Sequence, residues 1–298
     1  MAAVSAEHEG SASASGRAAS AWRQVLASPE GKAGSILAVV VLAVVILGPD
    51  VSRYQPQAIG AGPPLAGPSG AHLLGTDELG RDVFSRFLAG GRTVLLAPLA
   101  ATTLAFLIGG AAGMFAAFRG GFLDAGVSRL FDLFIALPSL LIVLVVMTRV
   151  GTSWPTVVVV VGLVFTPRAG RIVRGATQAV VGNDYVLAAR LRGERVWWTL
   201  ARELLPNAAP SIIANYCLYL TYSIIFVSTL SFLGLGAQPP SSDWGLMVSD
   251  SRQFIVLNPW ATLAPAAGIA SMAVAFTLLG DAVTRHVARG IRRGGGDL

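Results

Sequence analysis

Three histidines, one cysteine and a sparse set of carboxylates are the side chains of this chain best suited to chemistry, and their spacing fits none of the usual devices. His8, His72 and His286 lie far apart and match no metal-ligand spacing. Cys217 sits inside an apolar run with no histidine near it in sequence, so it lacks the base that would make it a nucleophile. As the single cysteine it forms no disulfide within the chain, and the redox compartment stays open. No serine stands in a nucleophile-elbow context. No glycine-rich loop ends in Gly-Lys-Ser or Gly-Lys-Thr, which removes that mode of nucleotide binding. Asp132 and Asp281 fall near the inner ends of apolar runs, where a solvated or capping carboxylate is the simpler assignment.

One segment does carry a purposeful arrangement of polar groups. Residues 183–207, NDYVLAARLRGERVWWTLARELLPN, form an Arg-rich stretch between long apolar runs. The pattern predicts an acidic helix start at Asp184, small residues at Ala188 and Ala189, a glycine break at Gly193, and a stop at Leu205-Pro206. A polar break of this kind between two spans is expected where something docks.

The surrounding composition defines the setting. With 298 residues, 54% hydrophobic and 13% charged, the chain is far too apolar for a soluble domain of this length. It holds several runs that reach the roughly 20 apolar residues needed to cross a bilayer core. The expected order is a disordered cytoplasmic tail over 1–32, then a first transmembrane helix within 33–49, ended by Gly48-Pro49. No small-x-small cleavage site follows, so this helix reads as an uncleaved anchor. An extracytoplasmic segment, 50–92, ends in a short amphipathic helix from about Asp82, with Val83, Phe84, Phe87 and Leu88 on one face. A five-helix core occupies 93–285, with spans at 94–118, 130–148, 154–165, 212–233 and 261–279, and a cytoplasmic tail follows at 286–298.

Charge bias sets the orientation. With both termini inside, sixteen of the 22 Lys and Arg residues face the cytoplasm and six face out, so the N-in, C-in arrangement wins. Trp154, Trp244 and Trp260 fall near outer boundaries, as headgroup-level rings do. The net charge of +6 is accounted for by these flanking arginines and needs no nucleic acid.

The spans are also poor in ionisable groups. None occurs from Val94 to Phe118, from Ala208 to Ser242, or from Ile255 to Gly280. Proton- and sodium-coupled carriers commonly place carboxylates or histidines there. A pore-former without its own energy source conducts passively or borrows work from a partner, and the 183–207 loop favours borrowing. A membrane-embedded enzyme would need a nucleophile, base or ligand set that is absent, and a passive channel would not need the Gly193 loop. Gly109 and Gly113 form a GxxxG that reads as close helix packing. Asn215, Tyr216, Tyr219 and Ser223 give the fifth span its polar character, and the last three share a helix face. They line a translocation path or pack against a partner.

At this point the chain resembles the C-type permease of the dipeptide/oligopeptide ABC importers, over roughly His72 to His286. HLLGTDELGRDVFSRFLAGGR resembles the family's N-terminal signature, and FRGGFLDAGVSRLFDLFIALPSLL its inner loop and third span. LSFLGLGAQPPSSDWGLMVSDSR resembles its outer loop and LLGDAVTRH its closing segment. The 183–207 pattern resembles its cytoplasmic coupling loop.

The resemblance implies an all-α integral membrane protein with six transmembrane helices in the type I ABC importer permease fold, in a bacterial inner (plasma) membrane. It implies a homologous second permease, two ATP-binding subunits or domains, and an extracytoplasmic solute-binding protein or lipoprotein that delivers peptide. ATP and Mg belong to the ATPase partners, and this chain carries no cofactor of its own. Nickel or another small solute is the alternative cargo.

Within the loop, Ala188 and Ala189 would let the ATPase approach closely, and Gly193 would permit the turn between two short helices. Glu194, Arg195 and Arg202 would offer charges to the ATPase groove, while Trp197 and Trp198 would anchor the second helix. Arg190, Arg192 and Arg195 serve equally well as positive-inside residues on anionic lipid. Leu187 stands where many members have an acidic residue, Glu203 where histidine is common, and Val227 where a glutamate precedes LSFLGLG.

Overall fold

The computed structural model describes residues 28–294, and its regular elements are helices, with one isolated bridge between Thr76 and Asp82. The tail expected before residue 28, including His8, lies outside the described residues, as do the side chains from His286 onward.

Helix α1 spans Pro29–Val51, with the Ser28 hydroxyl capping its first turn by accepting from the Gly31 amide at 3.0 Å. Gly48-Pro49 does not end it, contrary to expectation. Pro49 has no N–H for the carbonyl of Val45, four residues back, and Arg92 Nε fills that vacancy by donating to Val45 O at 3.1 Å. Arg92 Nη2 also reaches Ile46 O at 2.7 Å, so a neighbouring helix repairs the proline's damage.

Helix α2 runs unbroken through Val83–Arg119. The expected short amphipathic helix and the second span are therefore one 37-residue rod, about 55 Å long. That is longer than the roughly 30 Å hydrocarbon core, so part of the rod extends beyond it. Asp82 caps it, Oδ2 accepting from the Ser85 amide at 2.8 Å and from the Ser85 hydroxyl at 2.7 Å.

The third span is broken. Helices α3, Gly121–Ala136, and α4, Ser139–Val150, meet at 79° across Leu137-Pro138. Proline forces the preceding residue out of the helical region, and Leu137 has ψ 136. Helix α5 covers Trp154–Gln178, capped by the Ser153 hydroxyl. It lies so close to α2 that a Cβ on Gly109 would strike Thr166 O and one on Gly113 would strike Gly170 O. The GxxxG thus serves the packing role read from the sequence.

Helix α6, Asp184–Leu191, is the loop helix. Helix α7, Val196–Thr199, continues through a π-helical turn at Leu200–Leu204 into α8, Leu205–Phe232. Leu205-Pro206 is not a stop. Pro206 cannot donate to Arg202 O, and the widened turn just before it absorbs the misfit without interrupting the helix. Helix α9, Trp244–Ser251, lies in the loop after α8, and α10 spans Trp260–Gly294, past the boundary at residue 286 where a tail was expected.

Among the described residues five helices are long and apolar enough to cross a membrane, and the bent pair makes a sixth if counted as one span. The two largest of the buried cores hold most of the helices together. One gathers Val41, Val83, Val94, Leu220, Trp244 and Met272, and the other Ala101, Val143, Met147, Val161, Phe165 and Leu230. Trp244 belongs to the first core and not to a headgroup belt: it is 1% exposed, stacks on Phe87 at 4.9 Å, and donates to Phe87 O at 2.7 Å.

The segment between α1 and α2 forms an irregular cap over the start of α2. Buried Asp77 accepts from the amides of Leu79 and Arg81 at 2.9 Å and from Arg81 Nε at 2.6 Å, and pairs with Arg86. Asn258 Nδ2 ties the cap to the loop before α10 through the carbonyls of Leu74 and Thr76, each at 3.0 Å.

Candidate functional site: the loop helix and the cavities behind it

The loop helix α6 is amphipathic, but its apolar residues are divided between its two sides. Val186 and Ala189 are buried, and Val186 joins a core of Met114, Phe118, Val173, Leu200 and Leu204. Asp184, Leu187 and Leu191 fall on the opposite side at i, i+3 and i+7, and all are exposed, Leu187 at 54% and Leu191 at 81%. The small size of Ala189 therefore serves packing onto the chain's own helices, and Ala188 is only half-buried.

The charges divide in the same way. Arg190 is exposed but bends back onto α2, Nη2 donating to Phe118 O at 2.7 Å with the guanidinium 4.2 Å from the Phe118 ring centroid. This bond ties α6 to the end of α2. Arg192 donates to Glu194 Oε1 through Nε at 2.9 Å and Nη2 at 2.7 Å, so Glu194 is engaged inside the loop. Arg195 is exposed where α7 begins. Arg202 lies 3.8 Å over the Trp198 ring, and Trp197 stacks on Phe115 at 5.8 Å. Leu205 and Pro206 are exposed on the outer surface of the continuous helix.

Gly193 makes the turn between α6 and α7 at φ +70, a left-handed conformation that other residues adopt at a cost. Nothing lies within 4 Å of a Cβ placed there, so the backbone and not crowding demands the glycine.

The polar residues of α8 do not share one open face. Tyr216 borders an almost wholly apolar cavity of about 410 Å³ together with Trp197, Leu200 and Phe106, its hydroxyl 2.8 Å from Thr103 Oγ1. Tyr219 borders a second cavity of about 550 Å³ with Tyr222, Ser139, Phe165, Arg168 and Thr229. Ser223 is fully buried, its hydroxyl donating to Pro98 O at 3.4 Å, and is a helix-packing contact. Asn215 spends its amide on Ser211 O, 2.9 Å away on its own helix. The expected common face is split because α2, α5 and α10 all pack on α8 and cover different arcs of it.

Arg168 is, by sequence, one of the sixteen positive charges assigned to the cytoplasmic side, and only its place in the fold sets it apart. Three arginines recur at every third position of α5. Arg174 is held by Asp124 in a bidentate pair at 2.6 and 2.7 Å, and Arg171 pairs with Asp132. Arg168, nearest the membrane interior, meets the Ser139 hydroxyl at 2.7 Å. The signal lay in arithmetic: three arginines face a helix carrying two carboxylates. No group of three or more His, Cys, Asp or Glu side chains able to hold a metal ion occurs among the described residues.

Multiple apolar helices, one broken span and an exposed amphipathic loop helix define a multi-pass membrane transport subunit. Residues 109–293 match the family described as binding-protein-dependent transport system inner membrane component, and the chain belongs to that family. It is a permease subunit of an ABC importer, a transport component of the inner membrane and not a catalyst. Membership implies a partner permease, an ATPase and a binding protein.

The chain is 34% identical to a probable D,D-dipeptide transport system permease of Escherichia coli, over 86% of each chain. It is 33% identical to a dipeptide transport system permease of Bacillus subtilis, over 92% of this chain and 86% of that one. A glutathione transport system permease of Pectobacterium atrosepticum is 38% identical, over 72% and 71%. In fold it matches a chain of the MetNI methionine ABC transporter with a TM-score of 0.57 at 18% identity, covering 68% of this chain and 96% of that one.

Proposed function

We propose that this chain forms half of an ATP-driven translocation path for di- and oligopeptides and couples to a cytoplasmic ATPase through residues 183–207. Both termini and α6 lie on the cytoplasmic side, and the cap over 50–82 faces the delivering protein. A homologous permease supplies the other half, with two ATP-binding subunits or domains carrying ATP and Mg. Anionic lipid contacts the inner arginines. The peptide cargo follows from the named cargo of the relatives, which includes dipeptides and glutathione.

One observation carries the coupling role: α6 is locked to the permease through Val186, Ala189 and Arg190 while Leu187 and Leu191 stay bare. A helix fixed on one side and apolar on the other can transmit a push only if its partner binds its two positions with different affinity. Tyr216 and Tyr219 are the path-lining candidates, since each borders a cavity.

The test is reconstitution of the complete complex with Gly193→Val. The substitution strains the turn without filling occupied space, so assembly should persist while peptide uptake per ATP hydrolysed falls at least severalfold. Wild-type coupling in an assembled mutant would remove α6 from the coupling role.

A further inference from the structure

The inner half of α5 carries a ladder of ion pairs that is one carboxylate short. Arg174 and Arg171 are neutralised by Asp124 and Asp132 of α3. The next arginine, Arg168, meets no carboxylate among the described residues; α3 has ended at Leu137-Pro138, and the hydroxyl of Ser139 stands where an acid would complete the series. Arg168 lies about 21 Å along α5 from Trp154, within reach of the membrane interior. A charge at that depth is costly unless it is neutralised or wet, and such residues mark solute pathways.

The surroundings suit an anion. Arg168 opens onto the cavity of about 550 Å³ bordered by Tyr219, Tyr222 and Thr229; the two tyrosine hydroxyls add donors around it, the Thr229 hydroxyl donates to Ile225 O on its own helix at 2.8 Å, and no acidic side chain lines the cavity. Ser139 and Leu140, the first residues of α4, form part of the same wall. The first amides of a helix lack intrahelical acceptors and attract negative charge.

We infer that Arg168 is a transient binding group for a carboxylate of the cargo as it passes through the permease, with the Ser139 hydroxyl as its resting partner. The inference rests on the peptide-import reading, which supplies a cargo bearing a free carboxylate. A guanidinium in this setting holds a carboxylate by charge-assisted, bidentate hydrogen bonds, and a single such group is weak enough to release it.

The experiment compares Arg168→Gln with Arg168→Lys in the reconstituted complex of both permeases, ATPase and binding protein, measuring uptake of an unblocked dipeptide. Gln can still donate to Ser139 but carries no charge, whereas Lys carries the charge. We expect Gln to lower uptake about tenfold or more, and Lys to recover a substantial part of it. Equal uptake by Gln and wild type, or equal loss in Gln and Lys, overturns the inference. Failure of Arg168→Gln alone to co-purify with the second permease also overturns it, because the charge then pairs with that subunit. If wild type imports no peptide and moves a carboxylate-free solute, the peptide reading falls together with the inference. If wild type imports peptide and Gln matches it, the inference alone falls.

Discussion

Asp243 shows how a single carboxylate can be both useful and costly. It caps α9, Oδ1 accepting from the Leu246 amide at 3.2 Å, and burial in the loop after α8 raises its pKa above the ordinary carboxylate range. The sign follows from that direction. Below the unfolded pKa the group is neutral in both states, and the native structure gains from holding the proton more tightly. As pH rises through the folded pKa that gain disappears, because the folded state must now carry a desolvated charge. Asp243→Asn keeps a cap acceptor and removes the charge, so its thermal stability relative to wild type should improve as pH rises from below the ordinary carboxylate pKa of about 4 to above the raised folded pKa. Asp243→Ala loses the cap and should cost about 1 kcal/mol. Melting of the purified complex across that range checks both, and an Asn variant that loses ground at high pH would contradict the assigned direction. Glu78 in the cap and Asp250 on α9, also raised chiefly by burial, add to the same slope.

Helix α6 is too short, at eight residues, to be stable alone, and its inward residues hold it in place. Its outward pair is a separate matter. Leu187→Asp combined with Leu191→Asp should leave insertion and pairing with the second permease intact, since neither leucine touches the core. Retention of the ATPase on affinity-purified permease should fall about tenfold or more, because two apolar side chains would no longer be buried at the interface. Val186→Asp makes the opposite prediction: a buried charge beside Leu200 and Leu204 should lower the amount of folded permease itself. If the double leucine variant retains ATPase at the wild-type level, the exposed face of α6 is not the docking face. The amphipathic pattern was visible in the sequence. Which apolar residues were inward was not, because Val186 and Leu187 are equally plausible core residues until the end of α2 and the π turn arrive beneath one of them.

For the molecule as a whole, the decisive quantity is which loops share a side of the membrane. With Cys217 replaced by Ser, Ser69→Cys should react with an impermeant thiol reagent applied to intact cells, and Arg192→Cys should not. Both positions are exposed, so silence at 192 reports sidedness and not burial; Thr199, only 1% exposed, would give no such information. Labelling of position 192 from outside would invert the arrangement. Large apolar side chains left bare on several helices, among them Leu107 at 66%, Val145 at 66% and Leu163 at 52%, are what a chain shows when lipid and a second subunit complete its surroundings.

Composition and apolar run length determined by themselves that this is a helical membrane protein, because no other arrangement satisfies so many apolar residues in so few polar ones. The polar break at 183–207, the need for a turn at Gly193 and the close contact at Gly109 and Gly113 were equally legible, since each depends on backbone chemistry local to the residue. Proline effects were not. Pro49 and Pro206 were read as stops, yet Arg92 repairs the first and a π turn absorbs the second. Only the tertiary structure decided which polar groups are already partnered. Arg190 bonds Phe118, Ser223 bonds Pro98, Trp244 bonds Phe87, and Arg168 is left facing a cavity. Periodicity tells which residues share a face of a helix, but the partner on that face comes from a distant part of the chain, and its position is set only when the helices pack.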